Sequence, residues 1–103
     1  ILFYKYISFI VIFLPGNQVQ IEENARFIAA DKPIAARKWA DGVQQAVCKL
    51  KEFPCLGRQV PEYANDTLRE LLYGDYRIVY QINIELSRIE VLSVFHSKQM
   101  LWL

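Results

Sequence analysis

At 103 residues the chain has material for one compact core, so a single domain over residues 1–103 that buries roughly two-thirds of its unfolded surface is expected. Twelve Lys and Arg against eleven Asp and Glu leave a net charge of +1, which excludes the broad basic excess by which many proteins hold nucleic-acid phosphates; an RNA or DNA role would need a local patch. Two cysteines, Cys48 and Cys55, and one histidine, His96, fit neither a zinc framework nor a disulfide-dense secreted domain and point to a reduced, cytoplasmic setting with no metal and no cofactor.

The opening ILFYKYISFIVIFLP is interrupted by Lys5 and Ser8 and stopped by Pro15-Gly16, short of the ~20 apolar residues of a spanning helix. Its β-branched and aromatic content predicts a buried strand and no membrane association; a secretory apolar segment is the alternative, without a small-x-small cleavage site after it. Asn17 as a cap, with Ile21, Ala25 and Ile28 at helical spacing, predicts a first helix over about residues 18 to 30. Asp31-Lys32-Pro33 breaks it and starts a second. Ala36, Trp39, Ala40, Val43, Ala46, Val47 and Leu50 recur there every three or four positions, the apolar stripe of a core-facing helix. The short connection makes the two helices an antiparallel hairpin. Cys48, near the stripe, is expected as a small core residue, and Trp39 as core.

Pro54, Gly57 and Pro61 mark residues 54 to 67 as a loop holding Cys55, for which no activating cation is evident. Beyond it the period becomes two. LRELLY (68 to 73), YRIVYQI (76 to 82) and RIEVLSVFH (88 to 96) read as strands, and Gly74-Asp75 as a two-residue hairpin turn. That turn sets Tyr73 against Tyr76 and Leu72 against Arg77. Leu68, Glu70, Leu72, Arg77, Val79 and Gln81 then share one face; Arg69, Leu71, Tyr73, Tyr76, Ile78 and Tyr80 share the other, more apolar face, which should meet the helices. The fold class is α+β, β-α-α-β-β-β, a helical hairpin on a largely antiparallel sheet.

The ordered run FPCLGRQVPEY, LRELLY, YRIVYQI and VFHSKQ resembles the RelE/ParE superfamily of bacterial toxins from type II toxin–antitoxin systems over about residues 17 to 100. The resemblance implies one of two activities. One branch cleaves messenger RNA on the ribosome; the other, ParE-like, inhibits DNA gyrase. An RNA-cleaving member would need a phosphate clamp, an acid and a base, and Arg77 in YRIVY, His96 at the strand end and Glu62 in VPEY are the residues at hand. Each has a plainer reading. Arg77 can pair diagonally with Glu70, worth less than about 1 kcal/mol if exposed; His96 can close its strand by bonding to backbone; Glu62 can be a solvated loop carboxylate. Ser97 stands where nuclease members often carry a tyrosine, and the chain ends Met100, Leu101, Trp102, Leu103.

The nearer resemblance is therefore ParE-like, a non-enzymatic toxin whose target contacts would include Arg69, Arg77 and Lys98. The alternatives are a ribosome-dependent endoribonuclease and a non-toxic antitoxin-binding module. The partners implied are DNA gyrase, or the ribosome with its message, and a cognate antitoxin in a hetero-oligomer. An apolar fraction of 53% in so short a chain, with Trp102 and Leu103 at an unpaired end, marks those two residues as antitoxin contacts.

Overall fold

The computed structural model describes residues 9–14 and 33–98. In chain order these give β1 (Ile10–Phe13), α1 (Pro33–Cys48), 3-10 turns at Lys49–Lys51 and Pro54–Leu56, β2 (Arg58–Gln59), β3 (Leu68–Tyr73), β4 (Tyr76–Asn83) and β5 (Arg88–His96). The five strands form one sheet in the order β1-β5-β4-β3-β2, antiparallel except for β1, which runs parallel to β5. Among the described residues one helix, α1, packs on this sheet. The first predicted helix and residues 1–8 lie outside the described residues, as do Trp102 and Leu103.

Pro33 opens α1, at the first helical position, where a proline's missing N–H costs nothing. The apolar stripe of α1 does what its spacing requires: Ala36, Trp39, Val43, Val47 and, in the following 3-10 turn, Leu50 are all buried. Cys48, expected in the core, is exposed instead. It stands one position after Val47 and so turns about 100° away from the stripe.

The β3–β4 hairpin has the register set by its two-residue turn, Tyr73 opposite Tyr76 and Leu72 opposite Arg77, with Gly74 at φ 56° in the left-handed region that glycine takes without strain. Tyr73, Tyr76 and Ile78 accordingly pack with Trp39, Val43 and Val47, while Tyr80 and Ile82 pack with Phe9, Leu50 and Ile89. Strand β5 departs from strict alternation. Val79 pairs with Ser93 but Tyr80 with Val91, so Leu92 is an extra residue that bulges the strand. The bulge lets Val91 and Val94, three positions apart, both join the helix-side core.

The predicted loop 54 to 67 is more ordered than its prolines suggest. It contains the Pro54–Leu56 turn and a fifth strand, β2, paired with β3 through Arg58–Glu70 and Gln59–Arg69. Among the described residues strand β1 lies at the sheet edge and is partly buried, with Ile10 65% exposed, where its composition suggested a buried strand.

Candidate functional site

The side chains that could carry chemistry gather on the sheet face away from α1. Strand alternation sends Glu70 from β3 and Arg77 from β4 to this face. The loop after β2 covers them, burying Val60 against Leu68, Val79 and Phe95. Both charged groups are thereby taken out of water: Glu70 is 1% exposed and Arg77 8%. The diagonal Arg77–Glu70 pair that the sequence allowed does form, and it is buried, so the small worth of an exposed pair does not apply to it. Removing water raises the cost of leaving either charge unpaired, and each has saturated partners.

Arg77 Nε donates to Glu70 Oε1 at 2.7 Å, its Nη2 lies 2.5 Å from the same oxygen, and its Cζ sits 5.1 Å from the Phe95 ring centre. The outer edge of the guanidinium donates twice, Nη1 to Glu62 Oε2 and Nη2 to Glu62 Oε1, each at 2.7 Å. Glu62 is thus a bidentate partner and not a solvated bystander. Its hydrogen bonds from Arg77 hold its carboxyl below the ordinary carboxylate range, and the same bonds push the Arg77 guanidinium higher still. Arg58 completes an alternating row: its Nε donates to Glu70 Oε2 at 2.7 Å from the solvent side.

The loop is fastened at its other end by Tyr80. Its hydroxyl accepts from Gly57 N–H at 3.0 Å and donates to the Pro54 carbonyl at 2.6 Å, and the buried phenol is pushed up to about 12 by desolvation. A Cβ on Gly57 would meet the Glu70 carbonyl at 2.5 Å and the Tyr80 hydroxyl at 2.7 Å, which explains the glycine of the LGR motif. Arg69 binds the loop as well, through Nη1 to the Gly57 carbonyl and Nε to the Asp66 carbonyl.

His96 sits elsewhere. It pairs with Tyr76 across β4–β5, its ring edge-on to that of Tyr76 at 5.3 Å, on the helix side, whereas the adjacent pair Arg77–Phe95 points to the opposite side. His96 Nδ1 accepts from the Lys98 N–H at 3.1 Å, which fastens the chain just after β5; Lys98 itself is exposed. Among the described residues no cluster of His, Cys, Asp or Glu could hold a metal ion, and no helix is long and apolar enough to cross a membrane.

The sequence pointed to Arg77, Glu62 and His96. The structure brings the first two together and leaves the third on the other face. The members it missed are Arg58, the central role of Glu70 and the Tyr80 anchor. Their signal was the pairing of two arginines and two glutamates within a loop-hairpin unit.

A family model for the ParE toxin of the type II toxin–antitoxin system parDE matches residues 11–101. The chain belongs to this family. Its fold recurs in the chromosomal ParDE toxin–antitoxin system of P. aeruginosa, with a TM-score of 0.71 at 12% identity, covering 86% of this chain and 96% of that one. The RelBE2 toxin–antitoxin complex of Mycobacterium tuberculosis is similar at a TM-score of 0.60 and 21% identity, covering 89% and 94%. A free-state mutant of the E. coli toxin RelE is similar at 0.60 and 15%, covering 89% and 86%. Comparison with curated proteins gives no match. The FPCLGRQVPEY motif of this ParE-family chain is thus the strap that carries Gly57, Arg58 and Glu62 over the ionic sheet face.

Proposed function

We propose that this ParE-type toxin inhibits growth in the cytoplasm by binding DNA gyrase as a protein ligand, without cleaving RNA. The supporting observation is that Arg77 and His96 project from opposite faces of the sheet, with both outer nitrogens of Arg77 already bound to Glu62. RNA cleavage needs cation, acid and base converging on one phosphate. Lys98, exposed beyond β5, and Arg69 are the basic groups offered to the target; Arg77, expected among them, could join only if Glu62 released its outer nitrogens. A cognate antitoxin neutralises the toxin in a hetero-oligomer, with Trp102 and Leu103 among its contacts.

The test is direct. Purified protein should block supercoiling by gyrase and leave ribosome-bound message intact, and His96→Gln should keep its growth inhibition. Message cleavage by the wild type, lowered about 10²- to 10⁴-fold in folded His96→Gln, would overturn this reading in favour of the endoribonuclease.

A further inference from the structure

We propose that Glu62 is the resident occupant of an anion seat built on Arg77, and that a carboxylate from an acidic protein segment exchanges with it. The inference holds whatever the toxin's target. It starts from an asymmetry within one ion pair. Arg77 is fixed from behind, by Glu70 at Nε and by the Phe95 ring, with its side chain only 10% exposed. Glu62 arrives from the front on the strap after β2, and its side chain is 41% exposed. The receptor is rigid and inward; the occupant is loop-borne and faces water.

Vacating the seat leaves the outer edge of the guanidinium without its bidentate acceptor, although Glu70 still neutralises the charge from behind. The seat can change hands at little cost, since an incoming carboxylate offers the same two oxygens to the same two Nη groups. Glu62, tethered to the seat, competes as a ligand at an effective concentration of roughly millimolar. A free carboxylate therefore loses. A partner wins only by adding contacts beside the seat, and the rim supplies them: Leu72, 57% exposed, borders the same open pocket as Arg58, Pro61, Glu62 and Arg77.

This rim favours an acidic peptide over a nucleic-acid backbone. A run of phosphates needs several free cations, whereas among the described residues no lysine lines the pocket and its second arginine, Arg58, is held by Glu70. A single carboxylate flanked by an aliphatic side chain matches both the fork and Leu72.

Chemical rescue tests the exchange. In Glu62→Ala, and in Glu62→Gln should the first fold poorly, sodium acetate should raise the thermal midpoint relative to sodium chloride at equal ionic strength and shift the Arg77 Nε–H resonance in ¹⁵N-labelled protein. Wild type should respond to neither. A capped Leu-Glu-Leu peptide should bind Glu62→Ala at least about tenfold tighter than wild type, and about tenfold tighter than capped Leu-Gln-Leu, the worth of one charge-assisted contact. Equal responses of wild type and both variants would overturn the proposal. So would inorganic phosphate rescuing about tenfold better than acetate, which would assign the seat to a phosphodiester.

Discussion

The two faces of this sheet are made from the same three strands and are buried by different physics. On the helix side Trp39, Val43, Val47, Ile78, Val91 and Val94 interlock as an apolar cluster, and the buried charges among the described residues, Glu70 and Arg77, lie on the other face. On the other side a strap of chain, too short to bring a helix, buries Val60, Leu68, Val79 and Phe95 around the row Arg58, Glu70, Arg77 and Glu62. A helix supplies a wide apolar stripe, so its face closes by area alone. A strap supplies one or two apolar residues, and the remaining polar atoms must be satisfied one by one.

The largest expected effects test whether the ionic face is as strong as the apolar one. Trp39→Ala should cost about 3–5 kcal/mol through a cavity in the helix-side core. Arg77→Ala should cost about 3–5 kcal/mol for the opposite reason, because it strands a buried carboxylate with Arg58 as its remaining partner. Urea melts separate the mechanisms when the paired variant Arg77→Met with Glu70→Leu is added. Removing both charges should recover most of the loss, as no single second change can for Trp39. If the paired variant melts as early as Arg77→Ala, the ion row contributes more than the sum of its desolvation and pairing.

The same contrast explains what the sequence disclosed. The helix stripe and the β3–β4 register were legible because each follows from one period, 3.6 or 2, and one turn, Gly74-Asp75. The ionic face was half legible. Alternation places Arg77 diagonally across from Glu70, but burial depends on where the strap lies, and the strap is fixed by long-range bonds such as Tyr80 to Gly57 that no local pattern encodes. The Leu92 bulge was hidden for a related reason: RIEVLSVFH sets Val91 beside Leu92 and Val94 beside Phe95, so the pattern leaves open which of each pair faces the helix, and only the packing partners of Val91 and Val94 reveal the extra residue. The positions of Arg77 and His96 on opposite faces follow from the β4–β5 register, which no short turn fixes as Gly74-Asp75 fixes the hairpin.

Intermediate effects come from the strap's anchor. Gly57→Ala places a methyl group against the Glu70 carbonyl and the Tyr80 hydroxyl, the first of them backbone that cannot swing aside, so a loss near the upper end of about 1–3 kcal/mol is expected in a denaturant melt. Tyr80→Phe keeps the ring and removes one acceptor and one donor, for about 1–2 kcal/mol. Its pH dependence is distinctive. The folded phenol holds its proton up to about 12 against an ordinary value of 10.0, so folding favours the protonated form; that stability is full below pH 10 and is lost as pH rises toward 12. Tyr80→Phe should flatten this alkaline fall, and a wild-type phenolate absorbance that titrates entirely near 10 would show that the anchor is open.

The smallest effect belongs to Glu62, and its direction is opposite. Its carboxyl is held below the ordinary value of 4.5, first by the hydrogen bonds from Arg77, so folding favours the ionised form. The stability it adds is complete above about pH 4.5 and disappears as pH falls through the lowered folded-state value. Because the side chain is 41% exposed, solvent screens the pair and Glu62→Gln should cost only about 0.2–1 kcal/mol at neutral pH. The variant keeps a carbonyl for one Nη of Arg77, while Glu70 still neutralises the guanidinium from behind. Acid melts of wild type and Glu62→Gln should therefore converge as pH drops below 4.5, with the difference gone once Glu62 is protonated. Curves that stay parallel down to low pH would mean that Glu62 holds the strap by shape and not by charge, leaving the ionic face resting on Glu70 alone.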